Sequence, residues 1–149
     1  MLFRSGLAAE TGARREVRMH DGTRCDVLTA THAVEVEFAA KWCEAVGQSL
    51  GYAAQTGRAG GIALILERPS DQRFLERLRA LIAFHGLPID VVVLKPCAKD
   101  GLEIDGLGAV TRPARAWLQG APIATLDLTR RREAAKDRTD RTYGTDGSR

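Results

Sequence analysis

The chain has 149 residues, of which 28% are charged and 5% aromatic, and its formal net charge is +3. This length suits one domain with a buried core, and no apolar run reaches the roughly 18 residues of a transmembrane helix. The charge is a weak indication of nucleic-acid binding, because residues 1–98 hold 12 Lys and Arg against 11 Asp and Glu.

The cysteines and histidines show no metal-binding spacing. Cys25, Cys43 and Cys97 are odd in number and form no Cys-x-x-Cys motif, which predicts reduced thiols rather than disulfides or a zinc ribbon. His20 and His32 lie at predicted turns, where we expect both to be exposed. The amino-terminal stretch lacks a long apolar segment, so we expect a cytoplasmic protein without a signal peptide and without a membrane partner.

An antiparallel meander is predicted near the amino terminus, after a short helix over residues 2–10. Its strands are predicted at residues 16–19, 24–28 and 33–38. Asp21 and Gly22 separate the first two strands, and Asp-Gly is a dipeptide that tight hairpin turns favour. The first hairpin is therefore the most secure part of the meander.

Helices and buried strands alternate after the meander. The predicted order is a helix over residues 39–54, a strand at 61–66, a helix from the N-cap Ser70 to Gly86, and a strand at 89–94. Both later strands are continuous apolar runs, as expected of strands buried on both faces. Helical connections between such strands imply parallel pairing. The predicted fold class is α/β, with a mixed sheet flanked by helices.

The domain organisation is predicted from where glycine, proline and charge accumulate. Residues 1–98 form the predicted core domain. Residues 99–128 mix Gly and Pro with scattered apolar residues, and we predict a poorly defined extension there. Residues 129–149 combine high charge with few apolar residues, which predicts a disordered tail.

Three acidic residues come together on the predicted second and third strands. Side chains alternate along a strand, so Glu35 and Glu37 share one face, and Asp26 lies near them if the two strands pair. Carboxylates about 4 Å apart repel by roughly 4 kcal/mol at an effective dielectric of about 20, which favours a shared cation. Their hard oxygens suit Mg²⁺ or Mn²⁺. The alternative is a solvated sheet face on which the glutamates never meet Asp26.

Three polar residues follow on one stripe of the predicted helix. Lys41, Gln48 and Tyr52 fall together at about 100° per residue. A lysine there can meet a phosphate as a point charge, and a tyrosine can hydrogen-bond or stack on a base. The alternatives are a surface lysine and a half-buried packing tyrosine.

At these residues the chain resembles the PD-(D/E)xK nuclease superfamily. The members share a restriction-endonuclease-like core, with an Asp on the second strand and an acidic-x-Lys motif on the third. Asp26 and Glu35 match those acidic positions, while the lysine position falls on Glu37 and Lys41 stands where other members carry a displaced lysine. Gln48-x-x-x-Tyr52 is similar to the Gln-x-x-x-Tyr motif of the lambda-exonuclease and RecB-nuclease branch.

The resemblance implies a Mg²⁺-dependent nuclease that hydrolyses phosphodiester bonds of DNA. Asp26, Glu35 and Glu37 would be metal ligands, with Lys41 stabilising the developing phosphate charge. Gln48 and Tyr52 would position the substrate. The resemblance also implies DNA as a partner and a homodimer as one route to cutting both strands.

Two other functions remain open at this point. The same fold without catalysis would bind nucleic acid or a protein partner, which the displaced lysine and the nearly neutral core allow. A metabolite-binding or structural α/β module would leave the acidic residues without a function.

Overall fold

The structure is a computed structural model that describes residues 12–98, 101–105, 128–133 and 136. Its six strands are β1 (Arg14–Arg18), β2 (Arg24–Leu28), β3 (His32–Phe38), β4 (Ala59–Ile65), β5 (Ile89–Pro96) and β6 (Leu102–Ile104). Its longer helices are α1 (Trp42–Thr56) and α2 (Gln72–His85), each preceded by a 3-10 turn, at Ala39–Lys41 and Pro69–Asp71. The predicted helix over 2–10 lies outside the described residues.

The strands form one mixed sheet in the order β1-β2-β3-β4-β5-β6. Strands β1, β2 and β3 pair antiparallel, which confirms the predicted meander. Strands β3, β4 and β5 pair parallel through the two helical crossovers, and β6 returns antiparallel to β5. The α/β class, with a mixed sheet flanked by helices, is therefore confirmed in its general form.

Local sequence accounts for the turns between these elements. Gly22 has a φ of +85°, and Met19 N donates to Thr23 O at 2.8 Å, so the Asp-Gly pair forms the first hairpin turn. Ser70 does not cap α2 as predicted, because it lies inside the 3-10 turn. Asp71 occupies the N-cap position instead.

The sheet buries a different apolar cluster on each face. The face that carries both helices packs Ile62, Leu64 and Val93 against Ala45, Leu75 and Leu78. The opposite face packs Val27, Val34, Val36, Ala63, Val92 and Leu94 with Leu102 and Leu128. Strand β3 therefore divides its side chains as predicted, with its valines on one face and its glutamates on the other.

Helix α1 packs on the sheet through two adjacent sets of residues. Ala45, Ser49 and Tyr52 are buried, and Trp42, Val46 and Leu50 are partly buried against the core. The helix approaches β4 closely at Ser49. A Cβ on Gly60 would lie 2.7 Å from Ser49 Oγ, and that hydroxyl donates to Gly61 O at 3.2 Å.

The packed structure continues beyond the predicted boundary at residue 98. Strand β6 extends the sheet, and Leu128 is 2% exposed in the core face opposite the helices. Residues 128–133 and 136 are helical, which differs from the prediction of a disordered tail from residue 129. Burial of Leu128 anchors this helical segment. No helix in the described part of the chain is long and apolar enough to span a membrane.

Candidate active-site pocket

A pocket of about 550 Å³ lies between the β1–β2 hairpin, β3 and α1, and we call it the α1 pocket. Four of the six residues that the sequence singles out line it, together with Asp21 and Gln55. The four are Asp26, Glu35, Gln48 and Tyr52. Residues from two strands and one helix therefore converge on one pocket.

Asp26 lies where the regular alternation of β2 breaks. Val27 packs on the core face opposite the helices, whereas Cys25 and Leu28 both pack with Tyr52 on the α1 side. Residues three apart would lie on opposite faces of a regular strand, so β2 is distorted at Asp26. Its carboxylate Oδ2 accepts the backbone N–H of Val36 at 2.9 Å.

Glu35 and Tyr52 form the buried wall of the pocket. Glu35 is 4% exposed and Tyr52 is also 4% exposed, and the tyrosine hydroxyl donates to Arg24 O at 2.9 Å. Burial, followed by the nearby carboxylates of Glu35 and Asp26, raises the pKa of Tyr52 above its usual value. The phenol therefore stays protonated at neutral pH.

Helix α1 presents an open, amide-lined surface to the pocket. Gln48 Oε1 is buried and has no hydrogen-bond partner among the described residues. Gly47 and Gly51 flank it, and a Cβ on either would meet nothing within 4 Å. Gln55 Nε2 donates to Asp21 Oδ2 at 3.1 Å, which ties the end of α1 to the hairpin turn.

Glu37 and Lys41 do not line the α1 pocket. Glu37 is 4% exposed, and its Oε1 accepts the backbone N–H of Phe38 at 3.0 Å. Lys41 Nζ lies 4.0 Å from Glu44 Oε2 on the surface of α1. Lys41 ends the 3-10 turn with φ −103° and ψ 25°, so it does not continue the α-helical stripe on which the sequence places it.

Arg131 holds Asp26 from the opposite face of the sheet. Its guanidinium lies 3.2 Å from both Asp26 oxygens, and Nη1 also donates to Val36 O at 2.7 Å. The neighbouring Arg132 pairs with Glu67. These contacts fasten the helical segment to β2, to β3 and to the residues that follow β4. No local pattern near Arg131 predicts this contact.

The pocket's donor set fits a hard divalent cation, although not as the predicted three-carboxylate cluster. Among the described residues, no three His, Cys, Asp or Glu side chains converge as a metal site. Asp26 and Glu35 nevertheless supply two carboxylates, and the buried Gln48 Oε1 supplies an amide oxygen. Mg²⁺ commonly takes only one or two protein carboxylates. A cation at Asp26 would compete with the Arg131 guanidinium.

His32 differs from its predicted exposure. It is 8% exposed, with Nε2 2.7 Å from Asp90 Oδ2 and Nδ1 2.8 Å from Thr31 Oγ1. Asp90 pairs in register with Gly61, which has no side chain to block the imidazole. His20 is exposed as predicted. The His32–Asp90 pair ties β3 to β5 and lies outside the α1 pocket.

Asp21, Thr23, Arg24 and Gln55 are polar pocket residues that the sequence does not single out. Gln55 follows Gln48 by seven residues and so falls on the same helix face, a signal that the sequence does contain. Asp21 was read only as a turn residue. Comparison with known proteins does not identify the chain, since no family model matches it and no curated protein or solved structure matches significantly.

Proposed function

We propose that this chain is a metal-dependent nuclease with a restriction-endonuclease-like core that hydrolyses phosphodiester bonds of DNA. The supporting observation is the convergence of Asp26, Glu35, Gln48 and Tyr52 on one pocket from β2, β3 and α1. These four carry the resemblance to the PD-(D/E)xK superfamily, and they come from three separate elements of the chain. The mixed sheet with a meander and parallel crossovers is the framework that the proposal needs.

In this proposal each pocket residue has a distinct task. Asp26 and Glu35 hold Mg²⁺, which when bound supplies Lewis-acid stabilisation of phosphate charge and activates water. Gln48 lines the pocket beside them and positions the substrate. Tyr52 remains a neutral hydrogen-bonding group whose backbone contact keeps the second strand against α1. Lys41 and Glu37 lie outside the pocket in this arrangement.

A second function is favoured by the contact between Arg131 and Asp26. An internal guanidinium already neutralises the carboxylate that a metal would use. A nuclease-like domain that binds nucleic acid without cleaving it would need no metal, and such a contact is compatible with that function. Metal binding therefore separates the two proposals.

Thermal unfolding with and without Mn²⁺ tests the proposal on the full chain. Metal that binds only the folded state at a hundredfold excess over Kd should raise the free energy of unfolding by about 2.7 kcal/mol. We expect this rise in wild type, and its loss in Asp26→Asn and Glu35→Gln. Glu67→Gln is the matched control, because it removes a carboxylate that pairs with the neighbouring Arg132.

Three outcomes of these titrations decide between the functions. A shift in wild type and in Glu67→Gln, but in neither pocket variant, supports the nuclease and justifies assays of DNA cleavage. No shift in wild type at saturating Mn²⁺ favours the non-catalytic binding domain. An equal shift in all four proteins places metal elsewhere and removes the pocket from the proposal.

A further inference from the structure

A second groove, which we call the β1 groove, opens beside the α1 pocket. It encloses about 640 Å³ between the β1 edge of the sheet and the end of α1. Cationic side chains border an apolar floor in this groove. The cationic residues are Arg14 and Arg18, His20 lines the groove beside them, and the floor consists of Val17, Met19 and Leu28.

Gln55 lines both the β1 groove and the α1 pocket. The two concave surfaces therefore meet at one side chain. A linear ligand that leaves the pocket along the end of α1 enters the β1 groove directly. A continuous binding surface of this kind is expected in a protein that binds a polymer, because the units next to the reacting bond also contact the protein.

Positive charge accumulates on the β1 side of the groove. Strand β1 contributes Arg14 and Arg18 to the groove lining, and its Glu16 lies 3.9 Å from Arg24. The pKa of Arg58 is lowered by burial and, second, by the positive charge of Arg14. A positive strand edge is complementary to a phosphate backbone.

The opposite side of the groove has the reverse polarity. Gln55, Thr56 and Gly57 line it where α1 ends, and a helix carboxyl end carries partial negative charge on its last carbonyl oxygens. Such carbonyls repel phosphates and accept hydrogen bonds from amino groups. The exocyclic amines of unpaired bases are donors of this type.

We propose that the β1 groove binds the single-stranded nucleic acid that runs through the α1 pocket, with phosphates on the arginine side and base edges on the helix side. The apolar floor separates the two sides and packs against sugars and base faces. A duplex fits this groove poorly, because its base edges are already paired and it presents mainly phosphates outward. The inference rests on the proposed function, whose substrate class it narrows.

The test is fluorescence anisotropy of a labelled single strand of about 15 nucleotides, titrated with the full chain in EDTA. Arg14→Gln/Arg18→Gln should weaken binding about tenfold and make the salt dependence shallower by roughly 1.4 in log–log slope, for two lost phosphate contacts. Arg73→Gln/Arg77→Gln is the matched control, because it removes two exposed arginine charges from α2. A duplex of the same sequence should bind more weakly than the single strand.

Several results would overturn the inference. They are a duplex that binds as tightly as the single strand, an equal loss of affinity in the α2 control, and wild-type affinity in Arg14→Gln/Arg18→Gln. Absence of any binding by wild type also overturns it. Binding is measured in EDTA, and cleavage is measured separately after metal is added. Binding of the single strand without cleavage in metal disproves only the nuclease. Cleavage that is unchanged in Arg14→Gln/Arg18→Gln disproves only the role of the groove.

Discussion

The two glutamates of β3 share a face and a degree of burial, yet they lie in different environments. Glu35 lines the α1 pocket together with Tyr52 and Asp26. Glu37, two residues on, accepts its neighbour's backbone N–H at the end of the strand. Alternation along a strand therefore decides the face of a side chain, while the flanking strand and helix decide whether it reaches a site.

The largest expected difference between Glu35 and Glu37 is in catalysis. In the proposed nuclease, Glu35→Gln should lower the rate of DNA cleavage by about 100-fold, since it removes a metal ligand. Lys41→Met and Glu37→Gln should each retain the rate within about threefold, because neither side chain lines the pocket. Initial rates on folded protein measure this difference. A loss in Lys41→Met as large as that in Glu35→Gln would mean that Lys41 reaches the substrate.

Helix α1, which forms one side of the pocket, packs closely against β4. The closest approach is at Gly60. Gly60→Ala should lower the free energy of unfolding by about 1–3 kcal/mol, because the new Cβ would meet Ser49 Oγ at 2.7 Å. Gly47→Ala is the control in open space and should stabilise α1 by up to about 1 kcal/mol. Urea unfolding measures both. Equal values for the two alanines would disprove the close approach.

Asp26, which lines the pocket, is also held by Arg131 from the opposite face of the sheet. Arg131→Ala should cost about 1–3 kcal/mol, because it leaves the largely buried Asp26 carboxylate without its charged partner. Arg132→Ala should cost less than about 1 kcal/mol, since its pair with Glu67 is more exposed. Chemical denaturation of the two variants gives the comparison. If Arg132→Ala proves the more costly, Arg131 does not anchor the segment.

The smallest expected effect is on stability at alkaline pH. Burial raises the pKa of the Cys25 thiol from 9.0 to about 12. The protonated thiol is favoured in the folded state, so its contribution is fully present below pH 9.0 and is lost as the pH rises toward 12. At about pH 10 the loss is on the order of 1 kcal/mol. Melting curves of wild type and Cys25→Ser should diverge above pH 9.0, and parallel curves would contradict the buried thiol.

Sequence reasoning succeeded where the controlling interactions are local. The Asp21-Gly22 turn, the valine face of β3 and the apolar runs of β4 and β5 are all present as predicted. The depth of burial along α1 has no such local signal, since the polar Ser49 is fully buried by its close approach to Gly60. Helix periodicity gives the spacing of a stripe, but the partner surface decides how deeply each residue is buried.

The sequence by itself determined most elements up to residue 96 and the placing of Asp26, Glu35, Gln48 and Tyr52 on them, because turn chemistry, strand alternation and helix periodicity act over a few residues. Only the tertiary structure decided which polar groups meet. Arg131 reaches Asp26 across 105 positions, and His32 reaches Asp90 across 58. Neither pair has a local signal, since each depends on how separate elements pack. That packing brings Asp26 and Glu35 into one pocket and leaves Glu37 and Lys41 outside it.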